Sequence, residues 1–253
     1  MRIKVKFAAL EPPFALPINY NYPLASLIYR TLACSSEDYS RFLHDEGYRS
    51  GAKRFKLFTF SQLLLPKRRI AGDKLIGESP FVELLISSPV DKFVNHLASG
   101  LLSQNKVELA EVRFAIKSIE ALPPPEFSEE MRFTCLSPLV ASTMVERNGK
   151  LQPHYYRYDD PRLPAAIGEN LRRKFRLLSG KQPPGGDFAL EFDRAYLKRH
   201  QVEKLIDYKG TKIKGILAPF TARGPVELLQ VGYEAGFGEK GSMGFGMVAA
   251  VEP

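Results

Sequence analysis

The chain has 253 residues, 44% hydrophobic and 25% charged, a balance that excludes a disordered or fibrous protein and leaves room for a packed core. Lysine and arginine outnumber aspartate and glutamate by 36 to 28, a formal charge of +8, which favours a polyanionic partner. No stretch approaches the ~20 apolar residues of a spanning helix, and Met1 to Phe7 lacks the continuous apolar run of a signal peptide. The expectation is a cytoplasmic protein without a membrane partner. Cys34 and Cys135 are the only cysteines, too few for a disulfide framework or a thiolate zinc site, and they read as buried thiols.

Ile3, Val5 and Phe7 alternate with Arg2, Lys4 and Lys6, which predicts a strand with one buried face and one cationic open face. Leu24, Leu27, Ile28 and Leu32 recur at helical spacing. A second helix start follows, where Ser35 or Ser36 caps a turn carrying Glu37 and Asp38 and Gly47 serves as the stop. Phe55 to Leu65 and Phe81 to Ser87 read as strands. Pro89 suits the first turn of a helix bearing Val90, Phe93, Val94, Leu97 and Leu101. Val112, Phe114 and Ile116 restore strand alternation, completing a β-α-β-β-α-β order.

Leu122-Pro123-Pro124-Pro125-Glu126 interrupts both kinds of element, because successive prolines fix φ and remove donors. Beyond it, Met131 to Cys135 starts a strand, and Asp159-Asp160-Pro161 supplies a cap and first turn for a helix reaching about Leu178. Phe188, Leu190 and Phe192 alternate, Thr211 to Leu217 is a strand, Pro225 to Tyr233 a short helix, and Met247 to Val251 a closing strand. The second half thus repeats the pattern of the first. The expected fold class is α+β, with two tandem ferredoxin-like domains at 1–122 and 131–253 joined by a proline-rich linker at 123–130.

Gly236-Phe-Gly-Glu-Lys-Gly-Ser-Met-Gly-Phe-Gly246 places five glycines in eleven positions, a density that lets backbone N–H groups approach a phosphate. Its first six residues satisfy G-x-G-x-x-G, yet only 12 residues follow Gly241, too few for the helix, strand and ribose-binding acid of a dinucleotide site. A Walker loop fails for want of Gly-Lys-Ser/Thr. Phe237, Phe245 and Met247 argue that the loop is anchored in a core. His44 is followed by Gly47-Tyr48 and by Arg49, Lys53, Arg54 and Lys56. A histidine titrating near pH ~6.5 suits general acid–base chemistry, and Tyr29 on the preceding helix can serve the same phosphate. Arg172, Arg173 and Arg176 form a cationic run on the helix whose apolar stripe is Leu163, Ile167, Leu171, Phe175 and Leu178. Gln152 to Tyr158 interleaves aromatic and basic groups, either as a base-stacking surface or as a hairpin packing tyrosines on the core. His96 and His200 read as structural or solvated. The adjacent acids Asp45/Glu46 and Asp159/Asp160 do not converge on one metal unaided, so neither metal nor cofactor is expected.

A glycine-rich loop with interleaved hydrophobic residues, closing a pair of such units, resembles the repeat-associated (RAMP) superfamily. Within it the chain is similar to the CRISPR-associated repeat-RNA processing endoribonucleases, the sixth Cas protein family, over nearly its whole length. The resemblance rests on Gly236 to Gly246, the basic strand Met1 to Phe7, and a histidine after the first helical region followed by Gly47-Tyr48. It implies metal-independent cleavage of precursor RNA within the repeat, with catalytic Tyr29, His44 and a lysine, Lys53 first and Lys56 in reserve. It further implies an RNA-binding set of Arg2, Lys4, Lys6, Lys56, Arg172, Arg173, Arg176, Gly236, Gly238, Lys240, Gly241, Gly244 and Gly246. The implied partners are repeat RNA as precursor and mature guide, together with a second copy of the chain or an effector complex, and no DNA. The alternative is a non-catalytic RAMP subunit that holds guide RNA.

Overall fold

The computed structural model describes residues 1–251, the side chain of Arg147 excepted. Among them no helix is long and apolar enough to cross a membrane. The chain is an α+β protein whose contacts divide it into two compact units. The first comprises Met1–Lys56 and Ser61–Pro124; the second takes Leu57–Phe60 and everything from Pro125 onward.

The first unit opens with β1 (Arg2–Ala9), in which Ile3, Val5 and Phe7 are buried as their alternation requires. The other face is not the open cationic surface expected. Arg2 is 3% exposed, Lys4 pairs with Glu120 at 2.7 Å, and Lys6 lies 4.7 Å above the Phe81 ring. A central strand has neighbours on both edges and cross-strand side chains beside each lysine, and these cover the polar face. Helix α1 (Asn21–Ser35) buries Leu24, Leu27, Ile28 and Leu32. Cys34 lies off that stripe and is exposed, which corrects its reading as a buried thiol. Ser36 caps α2 (Glu37–Arg41), its Oγ accepting the Tyr39 N–H at 3.3 Å. A π-helical turn, Phe42–Glu46, then ends at Gly47. The strand expected over Phe55 to Leu65 does not form continuously: Leu57 has φ +56°, and the segment splits into the short strands Lys53–Phe55 and Thr59–Phe60.

Strand β2 (Phe81–Ser87) and helix α3 (Asp91–Leu102) match their patterns, although Pro89 precedes the N-cap Val90 rather than entering the first turn. Strands β3 (Lys106–Leu109) and β4 (Val112–Leu122) form a hairpin through Ala110 and Glu111, both at positive φ. The order β2-β1-β4-β3 is antiparallel throughout. Phe7, Val82 and Phe114 of this sheet share a core with Leu24 and Leu27 of α1.

The second unit contains β5 (Glu130–Cys135), a hairpin of β6 (Ser142–Arg147) and β7 (Lys150–Tyr155), and helix α4 (Leu163–Ser179). The helix starts later than Asp159-Asp160-Pro161 suggested. Its N-cap is Arg162, and the Asp160 carboxylate is spent on the Arg162 N–H at 3.0 Å and guanidinium at 2.8 Å. Strand β8 (Ala189–Phe192), the short helix α5 (Arg194–Arg199), a second hairpin of β9 (Glu203–Tyr208) and β10 (Thr211–Ile216), β11 (Phe220–Arg223), helix α6 (Val226–Ala235) and β12 (Val248–Ala250) complete the unit. Its sheet runs β8-β11-β5-β12, again antiparallel. Phe133, Phe220 and Phe237 meet at ring centroids 5.1 to 5.5 Å apart in its core, where aromatic edges and faces add to the gain from burial.

Candidate active site and glycine-rich loop

The π-helical turn carries His44 outward while the middle of α1 holds Tyr29 half-buried. Ser40 fastens the two segments, its hydroxyl donating to the Tyr29 carbonyl at 2.9 Å. The Tyr29 and His44 rings meet edge-to-face with centroids 5.5 Å apart. The His44 side chain is 71% exposed, and its Nδ1 lies 2.7 Å from Asp45 Oδ1. That contact fixes the ring: with Nδ1–H donated to the carboxylate, Nε2 is the nitrogen left for proton transfer. The hydrogen bond from His44 holds the Asp45 carboxyl below its ordinary value.

Two cations brace the same turn. Lys56 Nζ donates to the His44 carbonyl at 2.8 Å, and the Arg54 guanidinium donates to the Asp45 carbonyl at 2.8 Å. Gly47 clears the way: a Cβ there would meet the Phe55 carbonyl at 2.6 Å and Lys56 Nζ at 3.2 Å. Burial first, and then the Arg54 charge, pulls Lys56 below the ordinary lysine value. Lys53 lies exposed on the short hairpin of Tyr48–Ser50 and Lys53–Phe55, opposite Ser50. The lysine tied to the histidine backbone is therefore Lys56. Asp45, weighed in sequence only as half of an acidic pair, is the group that orients His44.

Of the remaining cations, Arg172 donates to the Gly186 carbonyl at 2.8 Å, Arg173 pairs with Glu169 at 2.9 Å, and Arg176 is exposed. His96 accepts or donates at Ser35 Oγ, 2.9 Å away, and His200 stacks on Tyr196 with centroids 4.0 Å apart. Tyr155 and Tyr156 of β7 and the segment after it pack partly against the hydrophobic clusters of the second unit. Among the described residues, no group of three His, Cys, Asp or Glu side chains is gathered as a metal site would require.

The glycine-rich loop joins α6 to β12 within the second unit. Phe237, Phe245 and Met247 are fully buried and anchor it. Gly238 and Gly246 need to be glycine: their φ values are +82° and +78°, and a Cβ would lie 2.2 Å from the Val140 and Phe237 carbonyls respectively. The N–H groups of Phe237, Glu239 and Gly246 donate to the Gly246, Val140 and Pro138 carbonyls. Gly236, Gly238, Gly244 and Gly246 are buried, whereas Lys240 to Met243 are partly exposed. One feature was missed in sequence. Lys174, inside the basic run of α4, is 4% exposed and donates to the carbonyls of Ala235 at 3.1 Å, Gly236 at 2.6 Å and Gly238 at 2.8 Å. The signal was its position: Lys174 falls three residues after Leu171 and four before Leu178, on the apolar side of the helix.

Two family models cover most of the chain: the N-terminal model of CRISPR-associated protein Cas6 matches residues 15–120, and the C-terminal model matches 122–250. The chain is 30% identical to CRISPR-associated endoribonuclease Cas6 1 of Methanocaldococcus jannaschii, with 94% of this chain and 88% of that protein covered. It is also 30% identical, over the full length of both, to an endoribonuclease-like protein, Cas6nc, of Pyrococcus horikoshii. A solved structure described as a RAMP protein binding different RNA substrates superposes with a TM-score of 0.85 at 28% identity, covering 100% of both chains. The chain belongs to the Cas6 family of CRISPR-associated endoribonucleases, within the RAMP superfamily.

Proposed function

We propose that this protein cleaves CRISPR precursor RNA within the repeat, without a metal ion, by attack of the RNA's own 2′-hydroxyl on the adjacent phosphate. The products are a 5′-hydroxyl end and a 2′,3′-cyclic phosphate, or the 3′-phosphate derived from it. The observation that carries the reading is the exposed His44 ring, held by Asp45 and set against Tyr29, with Lys56 on its own carbonyl. Three functions are needed: a group to take the 2′-hydroxyl proton, a group to protonate the leaving 5′-oxygen, and positive charge at the crowded phosphate. His44 Nε2 is suited to proton transfer on either side of the reaction, Tyr29 to orienting the phosphate, and Lys56 to stabilising its charge. Lys53 is the second choice for that charge. We further infer that each unit is a ferredoxin-like fold, because β1 and β5 each lie antiparallel between the strand that enters the unit's last long helix (β2 before α3, β11 before α6) and the unit's closing strand (β4 and β12). RNA-backbone contacts are assigned to the accessible cations, Arg176 and Lys240 foremost, and to Gly241 in the exposed part of the loop.

The test is single-turnover cleavage of labelled repeat RNA in EDTA, beside a copy carrying one 2′-deoxy substitution at the cut. Cleavage of the first and not the second is expected, with a rate loss of about 100-fold or more in His44→Ala and a larger loss in Lys56→Ala than in Lys53→Ala. Native-rate cleavage by His44→Ala would remove the histidine from the reaction. The endoribonuclease-like name of the Pyrococcus horikoshii relative favours one second reading, an RNA-binding subunit that does not cut; tight binding of repeat RNA without any product would establish it.

A further inference from the structure

A buried lysine is costly unless its charge is met by acceptors, because desolvation penalises the ammonium. Lys174 is met by three backbone carbonyls and, among the described residues, by no carboxylate in hydrogen-bonding contact. Their origin matters. Ala235 is the last residue of α6, so its carbonyl and that of Gly236 belong to the negative end of a helix, where a cation is favoured. The Gly238 carbonyl lies beyond the turn. One Nζ thus ties the end of α6 to the first three residues of the loop and, through its own backbone, to the middle of α4.

We propose that Lys174 is the positioning residue of the glycine-rich loop, fixing the path from Ala235 to Gly238 and thereby the surface that Lys240 to Met243 offer to RNA. The inference rests on the reading that this loop contacts RNA. Three facts support it. The fixed portion leads directly into the half-exposed turn Gly241–Met243. The Glu239 N–H and Ser142 Oγ continue the same bracing, the first to the Val140 carbonyl at 2.7 Å and the second to Glu239 Oε2 at 2.7 Å. Lastly, a hydrophobic residue at position 174 would satisfy the apolar stripe of α4 but leave the three carbonyls without this donor. Burial pulls Lys174 down to about 7 while the Glu239 charge pulls it back up, so the charged form is the one with three N–H donors for three acceptors.

The experiment uses the full chain as Lys174→Met, Lys174→Gln and, as a control for lost stability, Leu171→Ala, near pH ~6 where the ammonium is kept. Hydrogen exchange over residues 236–246, repeat-RNA affinity and single-turnover cleavage at saturating RNA are measured for each. Lys174→Met is expected to speed exchange in the loop, weaken RNA binding about tenfold and leave the saturated cleavage rate within about twofold. Lys174→Gln, which keeps part of the donor set, should fall between it and the native chain; if Lys174→Met does not fold, Lys174→Gln carries the comparison. Equal RNA affinity despite a loosened loop, or an equal affinity loss in a Leu171→Ala chain of matched melting temperature, would overturn the positioning role. Failure of the native chain to bind repeat RNA at all would overturn the proposed function instead.

Discussion

At the scale of single residues, Lys174 has two opposed energies. Taking an ammonium out of water costs several kcal/mol, and three hydrogen bonds to carbonyls offset it at about 1.5 to 3 kcal/mol each. Replacement by methionine removes the cost but leaves three buried acceptors unmet, at about 1 to 3 kcal/mol each, so Lys174→Met should destabilise the chain. The pH dependence has a definite sign. In the folded chain Lys174 is drawn down to about 7, whereas an unfolded lysine titrates near ~10.4. Below the lower value both states hold the proton and Lys174 adds no slope. Between the two values the unfolded chain holds one proton more, so native stability rises with pH by at most about 1.4 kcal/mol per unit. The stability gap between native and Lys174→Met chains should therefore widen from pH ~7 to ~9. Denaturant unfolding of both across that range measures it, and a gap independent of pH would mean that the ammonium is not desolvated.

Elements meet in this protein through backbone as much as through side chains. Helices α1 and α3 approach at Gly100, where an added Cβ would lie 2.0 Å from the Thr31 carbonyl. Gly100 has no positive φ to satisfy, so it acts as a spacer whose missing side chain sets the distance between the two helices. Tyr29 lies two residues before Thr31 on the same helix, and Ser40 ties the α2 backbone to the Tyr29 carbonyl. A displacement of α1 as a body would therefore pull on the Ser40 hydrogen bond, four residues before His44. Gly100→Ala gains about 1 kcal/mol in helix propensity, but an approach this close forces the helices apart, and overpacking costs typically about 1 to 3 kcal/mol. The expected outcome is a net loss of stability in thermal unfolding, together with slower cleavage at saturating RNA. A stabilised Gly100→Ala variant would show that the helices separate without cost.

Across the whole molecule, what local pattern encodes was legible, and what distant chain segments share was not. Ile3, Val5 and Phe7 disclosed β1 because a period of two depends only on neighbours, and Val90 to Leu101 disclosed α3 for the same reason. The pairing of Tyr29 with His44 spans two helices and came from family resemblance, not from spacing. Asp160 looked like a helix cap until Arg162 claimed its carboxylate, and Lys174 looked like one cation in a solvated run because its acceptors lie more than 60 residues away. The largest departure concerns Leu57–Phe60, which sits in the first half of the sequence yet belongs to the second unit. Thr59 is fully buried there and donates through Oγ1 to the Phe245 carbonyl at 2.9 Å, while a Cβ on Gly241 would lie 2.5 Å from the Phe58 carbonyl. A substitution at position 59 should therefore act on a loop far along the chain. Thr59→Val keeps the shape and removes the donor, leaving the Phe245 carbonyl short of one partner at about 1 to 3 kcal/mol. Hydrogen exchange should accelerate over residues 236–246 and stay unchanged over residues 1–56. Acceleration confined to 1–56 would return Leu57–Phe60 to the first unit, since local opening follows the unit in which a segment's buried contacts are made.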